Sequence, residues 1–444
     1  MTMETRAATL ARRIAAALRS HGHSAFLVGG CVRDILLGRP PKDFDVATSA
    51  PPDAVAWLFP GSQMVGASFG VVLVREDDAQ VEVATFRSDH SYQDGRRPAC
   101  VEFQTDPRQD VLRRDFTINA LLMDPDTEEV FDYVGGRDDL AHGTVRAIGD
   151  PAQRFAEDHL RMLRAVRFAA SLGFEIEEGT LQAVRELRSL IGKVSSERIR
   201  DELTRILTEG GARRGFELLD ESGLLAELLP ELAAMKGIAQ PPEFHPEGDV
   251  WIHTLLMLEK LNAPPATLAW GVLLHDVGKP PTFRAAPDRI RFDGHVEAGV
   301  EIAHRILTRL KFSTGDAIQI EALIANHMRF KDVPNMREST LKRFFRLPRF
   351  EEHLELHRVD CLSSHRNLDN YEFVKRKLAE LPAEELHPPR LLTGYDLMGE
   401  GYPAGPQLGE ILQALEDAQL EGVIHTREEA LALVRSRFPK TRIE

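Results

Sequence analysis

The chain has 444 residues, 43% of them hydrophobic, and a formal charge of −14, which allows two to four domains with ordinary apolar cores. No run reaches the roughly 20 apolar residues of a bilayer span, and residues 1–20 read as an arginine-bearing amphipathic helix instead of a signal peptide, so a soluble cytoplasmic protein is expected. Cys31, Cys100 and Cys361 stand apart, which argues against a disulfide framework or thiolate zinc site and leaves them as reduced packing residues.

After the first helix, residues 25–28, 43–47, 69–74 and 81–86 carry the apolar and β-branched content of short strands, predicting a small mixed sheet. The most informative run, FLVGGCVRDILLGRPPKDFDVATSA, spans residues 26–50. Gly29 and Gly30 permit close backbone approach to a triphosphate, the amides opening the next helix favour its charge, and Arg33 adds a planar fork. If residues 43–46 are extended, Asp43 and Asp45 project to one side while Phe44 and Val46 pack behind. Two carboxylates on one face can share divalent ions. Magnesium accepts substrate phosphate in its shell, so the pair suits phosphoryl or nucleotidyl transfer. Glu82, on a neighbouring strand, is either a third carboxylate or a solvated strand residue.

The Gly, Pro and polar content of residues 88–103 predicts a mobile loop. Asp106-Pro107 supplies a capping carboxylate and a first-turn proline, so a helix is expected to begin over 108–122. From Asp150 the reading is almost wholly helical: Asp150-Pro151 opens a helix, Leu172-Gly173 ends it, and Ser195-Ser196 caps another carrying Ile199, Leu203 and Ile206. Arg161, Arg164 and Arg167 spread over about 120°, whereas Phe155, Met162, Val166 and Ala169 occupy a different arc. One side packs and the other offers guanidinium groups. Residues 240–246 read as a linker, followed by a histidine-rich helical region, a break at Pro388-Pro389 and a tail with two helices. Arginines cluster at Arg96 and Arg97, Arg113 and Arg114, and over 154–167, with acid concentrated at 76–78 and 124–129; a basic cleft on an acidic body follows.

The Gly-Gly, Val-Arg-Asp and Asp-x-Asp run resembles the first motif of the class II tRNA nucleotidyltransferase and bacterial poly(A) polymerase superfamily. RRDFTINALLMD (113–124), GRDDL (136–140) and RFAEDHLRMLRAVRFA (154–169) continue the resemblance in the family's order. It implies an α+β chain: a small mixed-sheet nucleotidyltransferase head over residues 1–150, a mostly α-helical neck with a base-selecting helix over 151–238, an HD body over 239–388 and a helical tail over 389–444. It implies that Asp43 and Asp45 hold two Mg2+ ions, that Gly30, Arg33 and Arg114 contact the nucleotide, and that Asp158 and Arg161 pair with its base edge, with Arg164 and Arg167 on the same helix. Asp158 can accept from an exocyclic amine and Arg161 can donate to ring or carbonyl acceptors, each bond contributing roughly 1.5 to 3 kcal/mol. Asp115 beside Arg114 has the alternative of a surface ion pair, and Asn119 that of a helix-packing polar group.

The segments WIHTLLML, LLHDVGKP, DGHVEAG, IANHMRF and RVDCLSS place His253, His275, Asp276, His295, His327 and Asp360 in an order that resembles the HD phosphohydrolase domain. Imidazole and carboxylate together suit a metal-dependent hydrolase, of which His253, His275, Asp276, His327 and Asp360 are the expected ligands and a second divalent metal the cofactor. Lys279 either binds phosphate or solvates a helix end. The activity implied is CCA addition to tRNA 3′ ends from CTP and ATP, favoured over an A-adding or CC-adding specialist because the DGRRP run, 94–98, is intact, and over a poly(A) polymerase because the tail lacks a strongly basic character. An HD phosphohydrolase, or an RNA-binding protein with an inactive head, is the rival from another class.

Overall fold

Side-chain alternation around residue 45 governs the head: Phe44 and Val46 are buried while Asp43 is exposed and Asp45 half-buried, so apolar burial worth roughly 1.5–3 kcal/mol per side chain turns both carboxylates outward. The computed structural model describes residues 5–65, 70–92, 98–242, 245–246, 248–287 and 289–439. Contacts divide the chain into two units, Met1–Ala234 with Asn262–Ala266 and Ile306–Phe312, and Met235–Leu261 with Thr267–Arg305 and Ser313–Glu444.

The first unit opens with α1 (Arg6–Ser20), capped by the Thr5 side chain and burying Leu10, Ile14 and Leu18. Next come β1 (Ala25–Val28), α2 (Gly30–Leu36), β2 (Asp45–Thr48), α3 (Pro52–Leu58), β3 (Gln63–Met64), β4 (Val71–Glu76) and β5 (Ala79–Thr85). A hairpin of β6 (Arg87–Tyr92) and β7 (Pro98–Phe103), α4 (Pro107–Leu112), β8 (Leu122–Met123) and β9 (Val130–Phe131) complete the sheet region. The mixed sheet runs β3-β4-β5-β2-β1-β8-β9, with β2 parallel to β5 and the other pairs antiparallel. Gly29 joins β1 to α2 at φ 78°, where a side chain would be strained.

Three expectations are corrected here. Residues 88–103 are not a loop throughout, since β6 and β7 pair antiparallel from Arg87↔Phe103 to Tyr92↔Pro98; Arg96, Arg97 and most of the DGRRP run lie outside the described residues. The helix opened by Asp106, whose side chain accepts from the Arg108 amide, stops at Leu112, and residues 117–119 form a short 3₁₀ turn. Cys100 is exposed, so it is not a packing residue as Cys31 and Cys361 are.

The GRDDL run builds α5 (Gly136–His142), which is followed by β10 (Thr144–Val145). A Cβ on Gly136 would sit 2.2 Å from the Thr117 carbonyl oxygen, so glycine lets α5 approach the turn after Arg114. Asp139 then accepts from Thr117 and Arg146, fixing that turn from below.

The neck begins with α6 (Pro151–Glu157) and α7 (Arg161–Leu172), followed by β11 (Glu175–Ile176), α8 (Glu178–Leu187) and α9 (Ser196–Thr208). The single helix expected over this region is thus two: Asp158 is extended, at φ −143° and ψ 104°, and its Oδ1 accepts from the Leu160 amide. Asp158 behaves as a local cap, the usual way an aspartate interrupts a helix. Gly173 closes α7 in the left-handed conformation.

The second unit is helical, with Val250–Glu259, Thr314–Asn326 and Phe350–Ser363 among its helices. Leu392, Leu397, Tyr402, Ile411, Leu415 and Val434 form the core of its tail. Within the expected linker Gln240 is buried and accepts from Lys279 at 2.6 Å, so that residue is anchored.

Candidate active site and metal cluster

Asp45 stands opposite Val28 on β1 and opposite Glu82 on β5. Its pKa is pushed up to about 6, first by burial and then by the Glu82 and Asp43 charges, against a lowering pull from Arg114. Acidic groups crowded so that one resists ionisation are stabilised by a cation, so a divalent metal beside Asp45 and Asp43 would relieve that crowding. A Cβ on Gly29 would lie 3.8 Å from both Asp45 Oδ2 and Arg114 Nη1, which brings the turn, the carboxylate and the guanidinium together.

Arg114 is aimed by a residue that sequence reasoning missed. Asp110, 1% exposed, accepts from Arg114 through Oδ2 and from Arg113 through Oδ1; the (i, i+3) and (i, i+4) spacing of RQDVLRR was the available signal. Arg113 also reaches Asp89 of the hairpin at 3.6 Å, and its carbonyl accepts from Arg161.

Arg33 donates to Asp34 and, at 2.8 Å, to the Asn119 side-chain oxygen. Asn119 donates onward to Asp115 at 3.3 Å, so its observed work is to bridge Arg33 and Asp115. Asp115 accepts from Arg164 at 2.8 Å and from the Phe116 amide. Burial alone would raise the Asp115 pKa, but the Arg164 and Arg161 charges with these hydrogen bonds hold it at about 2. It is an interior ion pair and not a surface one.

Asp158 accepts from Arg198 of α9 at 2.8 Å. Arg161 donates to Glu157 and to the carbonyls of Arg154 and Arg113. Arg167, 6% exposed, is engaged by Glu202 at 2.7 Å and Glu209 at 3.2 Å. Arg198 and Glu202 were also missed, because nothing in their local sequence marks partners some 35 to 40 residues away. A cavity of about 290 Å³ lies on the Phe44 side of β2, lined also by Leu27, Met123, Arg12 and Arg39; Asp43, Asp45 and Asp158 do not line it.

In the second unit the ligand atoms of His253, His275 and Asp360 lie within 4.8 Å of one another, as do those of Asp276, His295 and His327. Nδ1 of His275, His295 and His327 faces the carbonyl of Val272, Phe292 and Ile324 respectively, 2.7–2.9 Å away. A carbonyl only accepts, so each Nδ1 carries a proton and each Nε2 faces the cluster. The buried Nε2 of His295 has no hydrogen-bond partner, and that of His275 lies 3.1 Å from Asp276 Oδ2. Burial lowers His295 and takes His327 down to about 4, keeping both neutral. Burial would raise Asp276, yet His275 and Lys279 hold it well below the usual carboxylate range. The neutral His295 and His327 imidazoles beside the Asp276 carboxylate fit a divalent metal. Lys279 contacts Asp276 at 2.7 Å and is buried, which removes its reading as a solvated helix end.

A sheet-borne carboxylate pair beside a glycine turn, followed by an arginine-rich neck and a His/Asp cluster, defines a nucleotidyltransferase with an HD domain. Comparison with known proteins agrees: the poly A polymerase head domain matches residues 25–146, the "Probable RNA and SrmB- binding site of polymerase A" matches 173–236, and the HD domain matches 249–361. A CCA-adding enzyme of Bacillus pumilus is 44% identical over 211 residues, 48% of this chain and 52% of that protein, so in this match the chain spans about half the relative's length. One from a Geobacillus species is 32% identical over 428 residues, 93% of each chain. Among solved structures, the Bacillus stearothermophilus CCA-adding enzyme in complex with CTP matches at TM-score 0.75 and 27% identity, covering 98% of this chain and 99% of that one. The Thermotoga maritima enzyme complexed with tRNA shares the fold, at TM-score 0.60 and 18% identity over 98% and 96%. The chain belongs to the CCA-adding enzyme family. No helix among its described residues is long and apolar enough to cross a membrane.

Proposed function

We propose that this protein completes the CCA end of tRNA from CTP and ATP, in the cytoplasm, with its own side chains selecting the base. The observation that carries the reading is the junction at Arg113: its side chain shares Asp110 with Arg114, beside Asp45, while its carbonyl holds Arg161 of the helix that follows Asp158. The catalytic carboxylates and the base-reading residues are thereby tied through one turn. Asp43 and Asp45 would hold Mg2+, which when bound activates the RNA 3′-hydroxyl and neutralises the departing pyrophosphate. The Gly29-Gly30 amides, Arg33 and Arg114 receive the triphosphate. Asp158 uses one lone pair on each oxygen for Leu160 and Arg198, leaving others for an exocyclic amine; Arg161 retains Nε–H. Arg164 extends the basic wall, while Arg167, buried against Glu202 and Glu209, supports it from within. The four-part division into head, neck, HD body and tail, at residues 150, 238 and 388, is our reading of the chain's organisation. The test is incubation with tRNA ending at the discriminator base, at C or at CC, each with CTP or ATP alone. CTP extends the first two and ATP only the last; extension of all three by ATP would favour a poly(A) polymerase.

The two groups of converging ligand atoms, His253/His275/Asp360 and Asp276/His295/His327, support a second activity, metal-dependent phosphoester hydrolysis in the HD body, in which Lys279 meets the phosphate. A purified protein without such activity in any divalent metal would reduce this region to a scaffold.

A further inference from the structure

Three guanidinium groups converge on one ring. The Phe168 centroid lies 5.3 Å from the central carbon of Arg33, 5.2 Å from that of Arg164 and 4.2 Å from that of Arg167. Each arginine has its own carboxylate, Asp34, Asp115 and Glu202 respectively, at 2.6–2.7 Å. Those pairs neutralise charge but do not explain why three cations from two helices face a common point. The ring does: its π face attracts a cation without using any of its N–H donors, so it steers Arg33 and Arg164 in addition to the hydrogen bonds they make with Asp34, Asn119 and Asp115. Phe116 meets the same ring edge-on at 5.8 Å, and Phe168 is 6% exposed, which locks its orientation. Arg33 belongs to α2 and Arg164 to α7, and they are joined a second time through Asn119 and Asp115. Phe168 closes that loop.

We propose that Phe168 is a positioning residue for nucleotide binding, whose ring sets the Arg33 guanidinium of the phosphate cradle and the Arg164 guanidinium of the base-reading helix at a fixed mutual angle. The proposal rests on the reading of Arg33 and Arg164 as nucleotide contacts; Phe168 itself touches no substrate. An aliphatic side chain would fill much of the space but leave both arginines free to follow their carboxylates, loosening ground-state and transition-state binding alike.

The test is steady-state kinetics of CTP and ATP addition with Phe168→Leu and with mono-, di- and trifluorinated phenylalanine placed at position 168. Fluorination weakens the π face at nearly constant size. Losing the stacking of two arginines predicts a rise in KM of about tenfold for Phe168→Leu, with kcat little changed, and a KM that climbs stepwise with fluorination while Tm stays level. A ring that merely packs would lower the Tm of Phe168→Leu and leave KM flat across the fluorinated series; that result overturns the proposal. Arg33→Lys and Arg164→Lys belong in the same assay. If they raise KM while the fluorinated series is flat, the positioning role alone fails; if neither moves KM, the nucleotide-contact reading fails and the proposal with it.

Discussion

Arg198 donates to Asp158 at 2.8 Å from a helix forty residues further along the chain. Together with the Leu160 amide it fixes both oxygens of the carboxylate proposed to read the incoming base. Arg198→Ala should therefore relax base choice more than it slows the chemistry. Both side chains are about a fifth exposed, so screening limits the loss to roughly 1 kcal/mol, about fivefold in the CTP-over-UTP and ATP-over-GTP ratios of kcat/KM. Unchanged ratios with a lower Tm would make Arg198 a structural partner only.

Asp115 gives the fold an acid-side dependence. Its pKa is depressed from 3.8 to about 2, so the folded state binds this proton less readily than the unfolded chain. The stabilisation, about 2 kcal/mol, is complete above pH 4 and is lost as pH falls toward 2. Urea unfolding of Asp115→Asn should run below wild type at pH 6, with the gap narrowing by pH 2.5. A constant gap would show that the loss comes from packing.

Asp45 carries the opposite sign. Its pKa is raised from 3.8 to about 6, so its ionised form costs stability above pH 6 and nothing below pH 4. In the presence of chelator at pH 7.5, Asp45→Asn should be more stable than wild type, by about 1–3 kcal/mol, while losing nucleotide addition. The gain should vanish at pH 4 and shrink when Mg2+ is supplied to wild type. A variant less stable than wild type at pH 7.5 would mean that Glu82 and Asp43 do not crowd it.

The second cluster should behave independently of the first. Divalent metal at a hundred times its Kd should stabilise the folded chain by about 2.7 kcal/mol, visible as a rise in Tm that His275→Ala and Asp276→Ala abolish. Those variants should retain nucleotide addition and lose hydrolysis of a chromogenic phosphoester. Loss of both activities would tie the clusters together.

Much of the candidate site's local geometry was legible because its signals are local. The Asp43/Phe44/Asp45/Val46 alternation is a two-residue period that the buried Phe44 and Val46 enforce; Gly29 announced a backbone turn; the histidines announced a metal set. What escaped was tertiary. Asp158 read as part of one helix opened at Asp150-Pro151, because periodicity cannot show that its side chain would take the Leu160 amide and break that helix in two. Arg167 looked available on a cationic arc, yet Glu202 arrives from α9 to claim it. Residues 88–103 had loop composition, and antiparallel pairing overrode it in β6 and β7.

The central claim, that protein side chains choose the base, is tested most directly by Asp158→Ala. Initial rates on tRNA ending at C and at CC, measured with each of the four nucleoside triphosphates at saturating Mg2+, should show selectivity collapsing at least tenfold, on the order of one charge-assisted hydrogen bond, with the Mg2+ dependence unchanged. Retained selectivity for C and A, or an altered Mg2+ requirement, would contradict it.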